Sequence, residues 1–288
     1  MAEQPTGLRV VVIALVLPIA EQLIERTREM GHDVVAWLVP RRPPRINDLP
    51  PPPWGDITDR NSPEGVNVIL ARDKDDLAPL LRGLEPDVVL CFGFPWKIPQ
   101  EALDVPRYGI VNQHPAPLPR HRGPIPLSWA FREGDSEFFI TWHRMDAELD
   151  TGPILAQTSI PVLDEETTVF ETGPRMLEAT LSLLPRVFER LAAEDPGDPQ
   201  ATEGASWAGF LEEEYATIDW SQPSREIHNQ VRAWNFAFQT EPIDGPFAEL
   251  DGERVKVKRT SLTDPGDGSP AHETGDGQIW ILETELAT

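Results

Sequence analysis

Residues 8–39, LRVVVIALVLPIAEQLIERTREMGHDVVAWLV, contain the pattern that decides the fold. Residues 8–17 form a continuous apolar and β-branched run, which predicts a strand buried on both faces. Residues 19–30 place apolar side chains at helical spacing and Gly31 follows as a C-cap, so we predict a helix there. Residues 34–39 form the next buried strand. A strand–helix–strand order favours a parallel sheet with right-handed crossovers.

The same alternation continues along the chain. The proline-dense residues 40–54 interrupt it, and we predict a surface loop there. The further predicted elements are a helix near 75–82 and strands at 66–70, 87–92, 109–112, 138–145 and 154–162. Residues 168–171 fit a capping box, which predicts a long helix to about residue 193, bent at Pro174 and Pro185.

The composition of the chain changes after residue 194. Residues 195–206 are rich in Pro, Gly and small polar residues, so we predict a linker. In residues 207–288, Asp251-Gly252 stands between two alternating segments and predicts a β-hairpin. We therefore expect an α/β protein, with a Rossmann-like, mostly parallel sheet in residues 1–194, a linker, and a small, mostly β C-terminal domain.

Composition limits the classes of protein to which the chain can belong. Cys91 is the only cysteine in 288 residues, so no disulfide can form within the chain, as is usual in a reducing cytosol. The apolar run 10–17 is too short to span a bilayer and lacks a basic leader, so we expect neither a signal peptide nor membrane insertion. The net charge of −23 repels phosphate backbones, so extended contact with nucleic acid is not expected. We predict a cytoplasmic protein.

The stretch 111–123, VNQHPAPLPRHRG, and the later run 149–152, LDTG, combine residue types that suit acyl transfer. The amide of Asn112 can donate to a developing oxyanion. The imidazole of His114 can move a proton near neutral pH. The carboxylate of Asp150 can orient that imidazole. These three residues are the predicted catalytic group.

The two stretches resemble the folate-dependent formyltransferase family, which includes methionyl-tRNA, glycinamide ribonucleotide and sugar N-formyltransferases. The family reads Asn-x-His, Ser-Leu-Leu-Pro, an aromatic residue, Arg-Gly, Pro and Trp-Ala. The matching positions here are Asn112, His114, Ala116-Pro117-Leu118-Pro119, His121, Arg122-Gly123, Pro126 and Trp129-Ala130. A second block, Thr141-Trp142-His143 with Leu149-Asp150-Thr151-Gly152, matches the family's Thr-x-His and Leu-Asp-Thr-Gly.

The resemblance implies a folate site as well as a fold. It implies that 10-formyltetrahydrofolate is the cosubstrate and that the C-terminal domain is a reduced form of the family's OB-like barrel. No metal is expected, because the sequence contains no H-E-x-x-H or paired-cysteine spacing. The folate is expected at the carboxyl ends of the central strands, where open α/β sheets bind ligands. The residues expected to bind it are Phe92, Gly93, Phe94, Leu118, Pro119, Met145 and Asp146.

The acceptor of the formyl group is predicted from charge. Residues 194–214 contain no Lys or Arg, and the one basic cluster, residues 254–259, alternates with Val in a strand pattern. A tRNA-binding surface needs more basic side chains than this, so we expect a small-molecule amine such as an amino sugar nucleotide, an amino acid or a natural-product precursor. Three alternatives stay open: a methionyl-tRNA formyltransferase, a 10-formyltetrahydrofolate hydrolase, and a non-catalytic protein that binds folate or a partner. The sequence does not specify the oligomeric state.

Overall fold

The strand–helix–strand unit at the start of the chain is present in the computed structural model, which describes residues 7–40, 63–237 and 244–287. It consists of β1 (Arg9–Ala14), α1 (Leu17–Glu29) and β2 (Asp33–Pro40). Every side chain of β1 after Arg9 is fully buried, which explains its unbroken apolar run. Apart from Pro40, the predicted loop at 40–54 lies outside the described residues.

The remaining strands and helices alternate as far as the sixth strand; a seventh strand, then helices, and then the strands of the C-terminal sheet follow. The helices are α2 (Leu77–Leu84), α3 (Gln100–Leu103), α4 (Pro126–Arg132), α5 (Val169–Ser182), α6 (Leu184–Ala192) and α7 (Ser224–Asn235). The strands are β3 (Asn67–Ala71), β4 (Val88–Phe92), β5 (Ile110–His114), β6 (Glu137–Arg144), β7 (Ile154–Pro161), β8 (Phe247–Leu250), β9 (Glu253–Ser261), β10 (Ala271–Glu273) and β11 (Gln278–Leu286).

Within the described residues, seven strands form one sheet in the order β3-β2-β1-β4-β5-β6-β7. Strands β1 to β5 pair in parallel, and β6 pairs antiparallel to β5. Alternate residues of β1 enter two separate core clusters: Val10 and Val12 belong to one, Val11 and Ile13 to the other. The sheet is therefore covered on both faces, and the predicted Rossmann-like α/β fold is confirmed.

The C-terminal residues form the predicted small β domain. Its antiparallel sheet has the order β10-β11-β9-β8. Strands β8 and β9 are joined by Asp251 and Gly252, both with positive φ (51° and 81°), as a two-residue hairpin turn requires. Helix α7 packs Ile227 and Val231 into the same cluster as Val257 of β9.

The structure differs from the sequence prediction at several elements. Strand β1 ends at Ala14 rather than at residue 17, because α1 begins at Leu17 with Pro18 in its first turn. Strand β5 continues to His114 rather than ending at residue 112, because β6 pairs with it as far as His114↔Thr141. The long helix predicted at 168–193 is two helices, α5 and α6, with Pro185 in the first turn of α6. Residues 262–277, which are rich in Asp, Gly and Pro and for which no strand was predicted, contain the short strand β10, which pairs with β11.

The chain divides into two compact units, each made of segments that are separate in the sequence. One consists of Met1–His114, Ile140–Thr158 and Leu177–Gly204, and the other of Pro115–Phe139, Ser159–Met176 and Ala205–Thr288. The boundaries at 194 and 206 stay a prediction. Within the described ranges, no helix combines the length and the apolar character needed to cross a bilayer.

Candidate active site

Strand β5 presents Asn112 and His114 on one face of the sheet, because side chains two residues apart on a strand point the same way. The antiparallel neighbour β6 places His143 opposite Asn112 and Thr141 opposite His114. The His114 side chain is 6% exposed, so it lies in an environment that strengthens electrostatic contacts. The register of these two strands therefore builds most of the site.

Asp150 reaches this site from the turn between β6 and β7. Its Oδ1 atom lies 3.7 Å from Nδ1 of His114 and 3.5 Å from Nε2 of His143. The carboxylate is 11% exposed and its backbone is left-handed, with φ of 56°. The structure thus brings the three predicted catalytic residues, Asn112, His114 and Asp150, into one cluster, with one carboxylate oxygen lying near a nitrogen of each imidazole.

His143 belongs to this cluster, although the sequence prediction did not include it among the catalytic residues. Its Nδ1 lies 2.9 Å from the carbonyl oxygen of Arg144, so Nδ1 carries a proton and donates it. Its Nε2 lies 3.3 Å from Nδ2 of Asn112 and therefore holds that amide in place. The signal was present in the sequence, since Thr141 and His143 alternate on a strand that follows the Asn-x-His strand.

The turn that carries Asp150 is shaped by its neighbours. A Cβ atom at Gly152 would lie 1.9 Å from the carbonyl oxygen of Arg144, so only glycine fits there. The carboxylate of Asp146 accepts hydrogen bonds from the Thr151 hydroxyl (2.6 Å) and the Glu148 amide (3.1 Å). Asp146, a predicted folate-binding residue, is thus engaged in folding the loop that leads to Asp150.

The buried thiol of Cys91 lies beside the site without taking part in it. Cys91 on β4 pairs with Asn112 on β5. Burial, together with the negative charge of Asp150, raises the pKa of the Cys91 thiol to about 12. The thiol is therefore neutral near pH 7 and cannot act as a nucleophile.

The predicted folate residues fall in both compact units. Phe92, Gly93 and Phe94 lie at the carboxyl end of β4, and Met145 follows β6, all in the unit that contains the catalytic cluster. Phe94 contacts the ring of Trp96 edge to face, with centroids 5.3 Å apart, and its other side packs into the core. Leu118 and Pro119 belong to the other unit. Their role in folate binding stays a prediction.

Among the described residues, one group has the side chains of a metal site: His121, Glu133 and Asp135, with candidate ligand atoms within 4.8 Å of one another. The guanidinium of Arg120 already donates to Glu133 (2.8 Å) and to Asp135 (2.9 Å). These bonds, first to Asp135 and then to Glu133, raise the pKa of Arg120, so its guanidinium stays charged beside the two carboxylates. We interpret the group as an ion-pair network that holds the fully buried His121.

Comparison with known proteins identifies the family. The sequence profile described as Formyl transferase matches residues 8–188, and the profile described as Formyl transferase, C-terminal domain, matches residues 211–287. The chain belongs to the folate-dependent formyltransferase family. The predicted family and the predicted type of enzyme, one that transfers a formyl group, are therefore confirmed, and 10-formyltetrahydrofolate is the one-carbon donor that this family implies.

Relatives match over nearly the whole chain. The methionyl-tRNA formyltransferase of Citrifermentans bemidjiense is 33% identical over 98% of this chain and 90% of its own length. Two solved structures share the fold at lower identity. HypX from Aquifex aeolicus in complex with tetrahydrofolic acid has a TM-score of 0.67 at 19% identity, covering 98% of this chain and 45% of HypX. The sugar 3N-formyltransferase WlaRD has a TM-score of 0.64 at 16% identity, covering 98% of both chains.

Proposed function

We propose that this chain is an N-formyltransferase that moves the formyl group of 10-formyltetrahydrofolate to an amine at the cluster of Asn112, His114 and Asp150. The observation that carries the proposal is the position of the Asp150 carboxylate, within 3.7 Å of His114 and buried with it. A base, the group that orients it and a neighbouring amide donor form the arrangement that acyl transfer to an amine needs.

Each residue has a distinct task in this proposal. The attack of the amine nitrogen on the formyl carbon turns the formyl oxygen into an oxyanion, which the Asn112 amide stabilises by donation. Asp150 accepts from Nδ1–H of His114 and so leaves Nε2 of that ring facing the substrates. The C–N10 bond then breaks. The amine loses one proton and N10 gains one, and the His114–Asp150 pair carries that proton.

Methionyl-tRNA is the acceptor with the stronger support. The relative from C. bemidjiense carries that name and matches both the catalytic domain and the C-terminal domain, at 90% of its length. A second relative of the same name, from Geobacter sulfurreducens, is 30% identical over 95% of this chain and 82% of its own length. We therefore place methionyl-tRNA, and not the small amine predicted from charge, first among the candidate acceptors.

A small-molecule amine is the second candidate, and the contacts of the basic strand β9 favour it. Lys256 pairs with Asp244. Lys258 lies 3.3 Å from Glu285, and Arg259 lies 3.2 Å from Glu171. Arg254 stacks over the Phe247 ring at 4.5 Å. All four basic side chains of residues 254–259 are thus already engaged by an acid or a ring, which leaves little free charge for phosphates.

Parallel assays with different acceptors distinguish these candidates. The purified chain is incubated with 10-formyltetrahydrofolate and either charged methionyl-tRNA, a panel of amino sugars and amino acids, or no acceptor, and formylated product and free formate are measured. Product on methionyl-tRNA, with a rate that falls steeply between about 50 and 200 mM salt, supports the first candidate. Product on a small amine alone supports the second. Formate release that needs no acceptor indicates a hydrolase, and donor binding without turnover indicates a binding protein.

A matched pair of variants adds a second readout. Lys258→Gln removes a charge from β9, while Glu285→Gln frees that same charge from its ion pair. If tRNA is the acceptor, the first change lowers kcat/KM for tRNA and the second raises it, each by about two- to fivefold. Neither change affects transfer to a small amine.

A further inference from the structure

The amide of Gln200 contacts the turn that carries Asp150. Its Nε2 atom donates one hydrogen to the carbonyl oxygen of Asp150 (2.9 Å) and the other to the carbonyl oxygen of Gly152 (2.8 Å). The turn needs such support, because the backbone of Asp150 is left-handed (φ of 56°), a conformation that favours glycine. One side chain thus holds both ends of the turn.

The chain that leads to Gln200 is fixed in place. Asp198 and Ile154 exchange two backbone hydrogen bonds of 2.8 Å, so this segment runs as a short antiparallel bridge along the start of β7. A Cβ atom at Gly197 would lie 2.9 Å from Pro153, which shows how closely the two backbones approach. Residues 195–200 fall in the predicted linker, yet they pack against the strand that follows the catalytic turn.

Arg190 of α6 anchors the same segment from the other side. Arg190 is 8% exposed, and its guanidinium donates to Asp195 (2.7 Å) and to Asp198 (2.8 Å). It also donates to the carbonyl oxygen of Ile154 at 3.2 Å. Because this buried cation ties the segment to β7, Gln200 projects from a rigid base and not from a free loop.

From these contacts we infer that Gln200 is a positioning residue for the formyl-transfer site: it acts through the backbone of Asp150 to hold the carboxylate at the distance where His114 and His143 share it. This inference rests on the proposed function. The carboxylate oxygen lies 3.7 Å and 3.5 Å from the two rings, so a small displacement of the turn breaks one contact or the other. Misplacement by about 1 Å lowers turnover up to about a hundredfold.

Two substitutions test this role. Gln200→Ala removes both donors, and Gln200→Glu keeps the size of the side chain but points acceptors at two carbonyl oxygens. We expect kcat to fall about ten- to a hundredfold in both, with KM for the folate donor within about threefold. Gln22→Ala, at an exposed glutamine of α1 in the same compact unit, is the matched control and keeps full activity.

A double-mutant cycle distinguishes positioning from a general loss of structure. In an Asp150→Asn background, Gln200→Ala has little further effect on kcat, because its target carboxylate is gone. If instead Gln200 acts by stabilising the whole fold, the two losses multiply and the melting temperature falls in step. Multiplying losses overturn the inference.

Hydrogen exchange gives a readout that needs no turnover. In the substrate-free protein, Gln200→Ala should speed amide exchange at residues 150–152 at least tenfold, while β1 exchanges as before. If the wild-type protein shows no formyl transfer, the proposed function is wrong. The exchange measurement still tests whether Gln200 positions the turn, because it does not depend on activity. Unchanged exchange at 150–152 in both Gln200 variants contradicts the inference, whatever the activity.

Discussion

Nδ1 of His114 lies 3.7 Å from Oδ1 of Asp150, and both side chains are nearly buried. This distance exceeds that of a direct N–H···O bond, which ends near about 3.2 Å, so the contact between these two atoms is electrostatic. In a site with little water, such a pair interacts more strongly than at the surface. The chemistry therefore depends on elements that fix the turn as much as on the two side chains themselves.

The first prediction concerns the two members of this pair. His114→Ala and Asp150→Asn should each lower kcat for formyl transfer by about a hundredfold or more, because one removes the proton carrier and the other the charge that orients it. Single-turnover assays at saturating donor measure this loss. The double variant should be little worse than His114→Ala alone, since Asp150 acts through the ring. Near-normal rates in both single variants would place the chemistry elsewhere.

The second prediction concerns His143. His143→Ala removes the ring that holds the Asn112 amide and contacts the Asp150 carboxylate, so kcat should fall about ten- to a hundredfold. Binding of a folate analogue, measured by titration calorimetry, should change by less than about threefold, because the ring orients catalytic groups and is not among the predicted folate contacts. Full activity in this variant would show that Asn112 needs no support from His143.

The third prediction concerns Gly152. A methyl group there lies 1.9 Å from the Arg144 carbonyl oxygen, so Gly152→Ala must displace the Asp150 turn. We expect a loss of at least about 2 kcal/mol in the free energy of unfolding, with a large drop in activity. Gly83→Ala is the control: it lies in helix α2, and apart from its chain neighbours and its own helix backbone no atom lies within 4 Å of the added carbon. This variant should gain up to about 1 kcal/mol in the free energy of unfolding. Urea denaturation measures the change in both variants. A Gly152→Ala variant as stable as the wild-type protein would contradict the predicted clash.

Sequence patterns were sufficient to predict the mostly parallel sheet and part of the candidate site. The unbroken run at Val10–Ile13 is typical of a strand covered on both faces, and the Asn112–His114 spacing puts both side chains on one face. The contact of Asp150 with these residues depends on the antiparallel β5–β6 register, which no local pattern specifies. For the same reason His143 was not recognised as part of the cluster.

Gln200 illustrates a different limit. It lies in a Pro- and Gly-rich segment without periodicity, and its two hydrogen bonds end on backbone carbonyl groups, which have no sequence identity. Side-chain to backbone contacts of this kind become visible only when the chain is folded. The sequence therefore predicts the reacting groups better than the residues that hold them.

The fourth prediction concerns the pH dependence of stability between pH 4 and 6.5, to which the buried His228 on α7 should contribute. This buried ring lies 2.8 Å from the Thr260 hydroxyl and 3.1 Å from the Asp164 carbonyl oxygen. Burial above all, and then the charge of Arg232, lower its pKa from 6.5 to about 4. His228 therefore binds a proton below about pH 6.5 in the unfolded chain but only below about pH 4 in the folded chain.

Above pH 6.5 the neutral ring of His228 therefore makes its full contribution to stability. As the pH falls from 6.5 toward 4, the free energy of unfolding decreases through this residue by an amount on the order of 3 kcal/mol. Urea denaturation at half-unit pH steps measures this slope. His228→Asn should be less stable at pH 7 but should lose that part of the slope, since no titrating ring remains. The Asp164 carboxyl does not mimic this effect, because its ion pair with Arg225 lowers its pKa below 3.8 and confines its influence to more acidic conditions. A variant whose stability falls as steeply as the wild type between pH 6.5 and 4 would show that another group controls the transition.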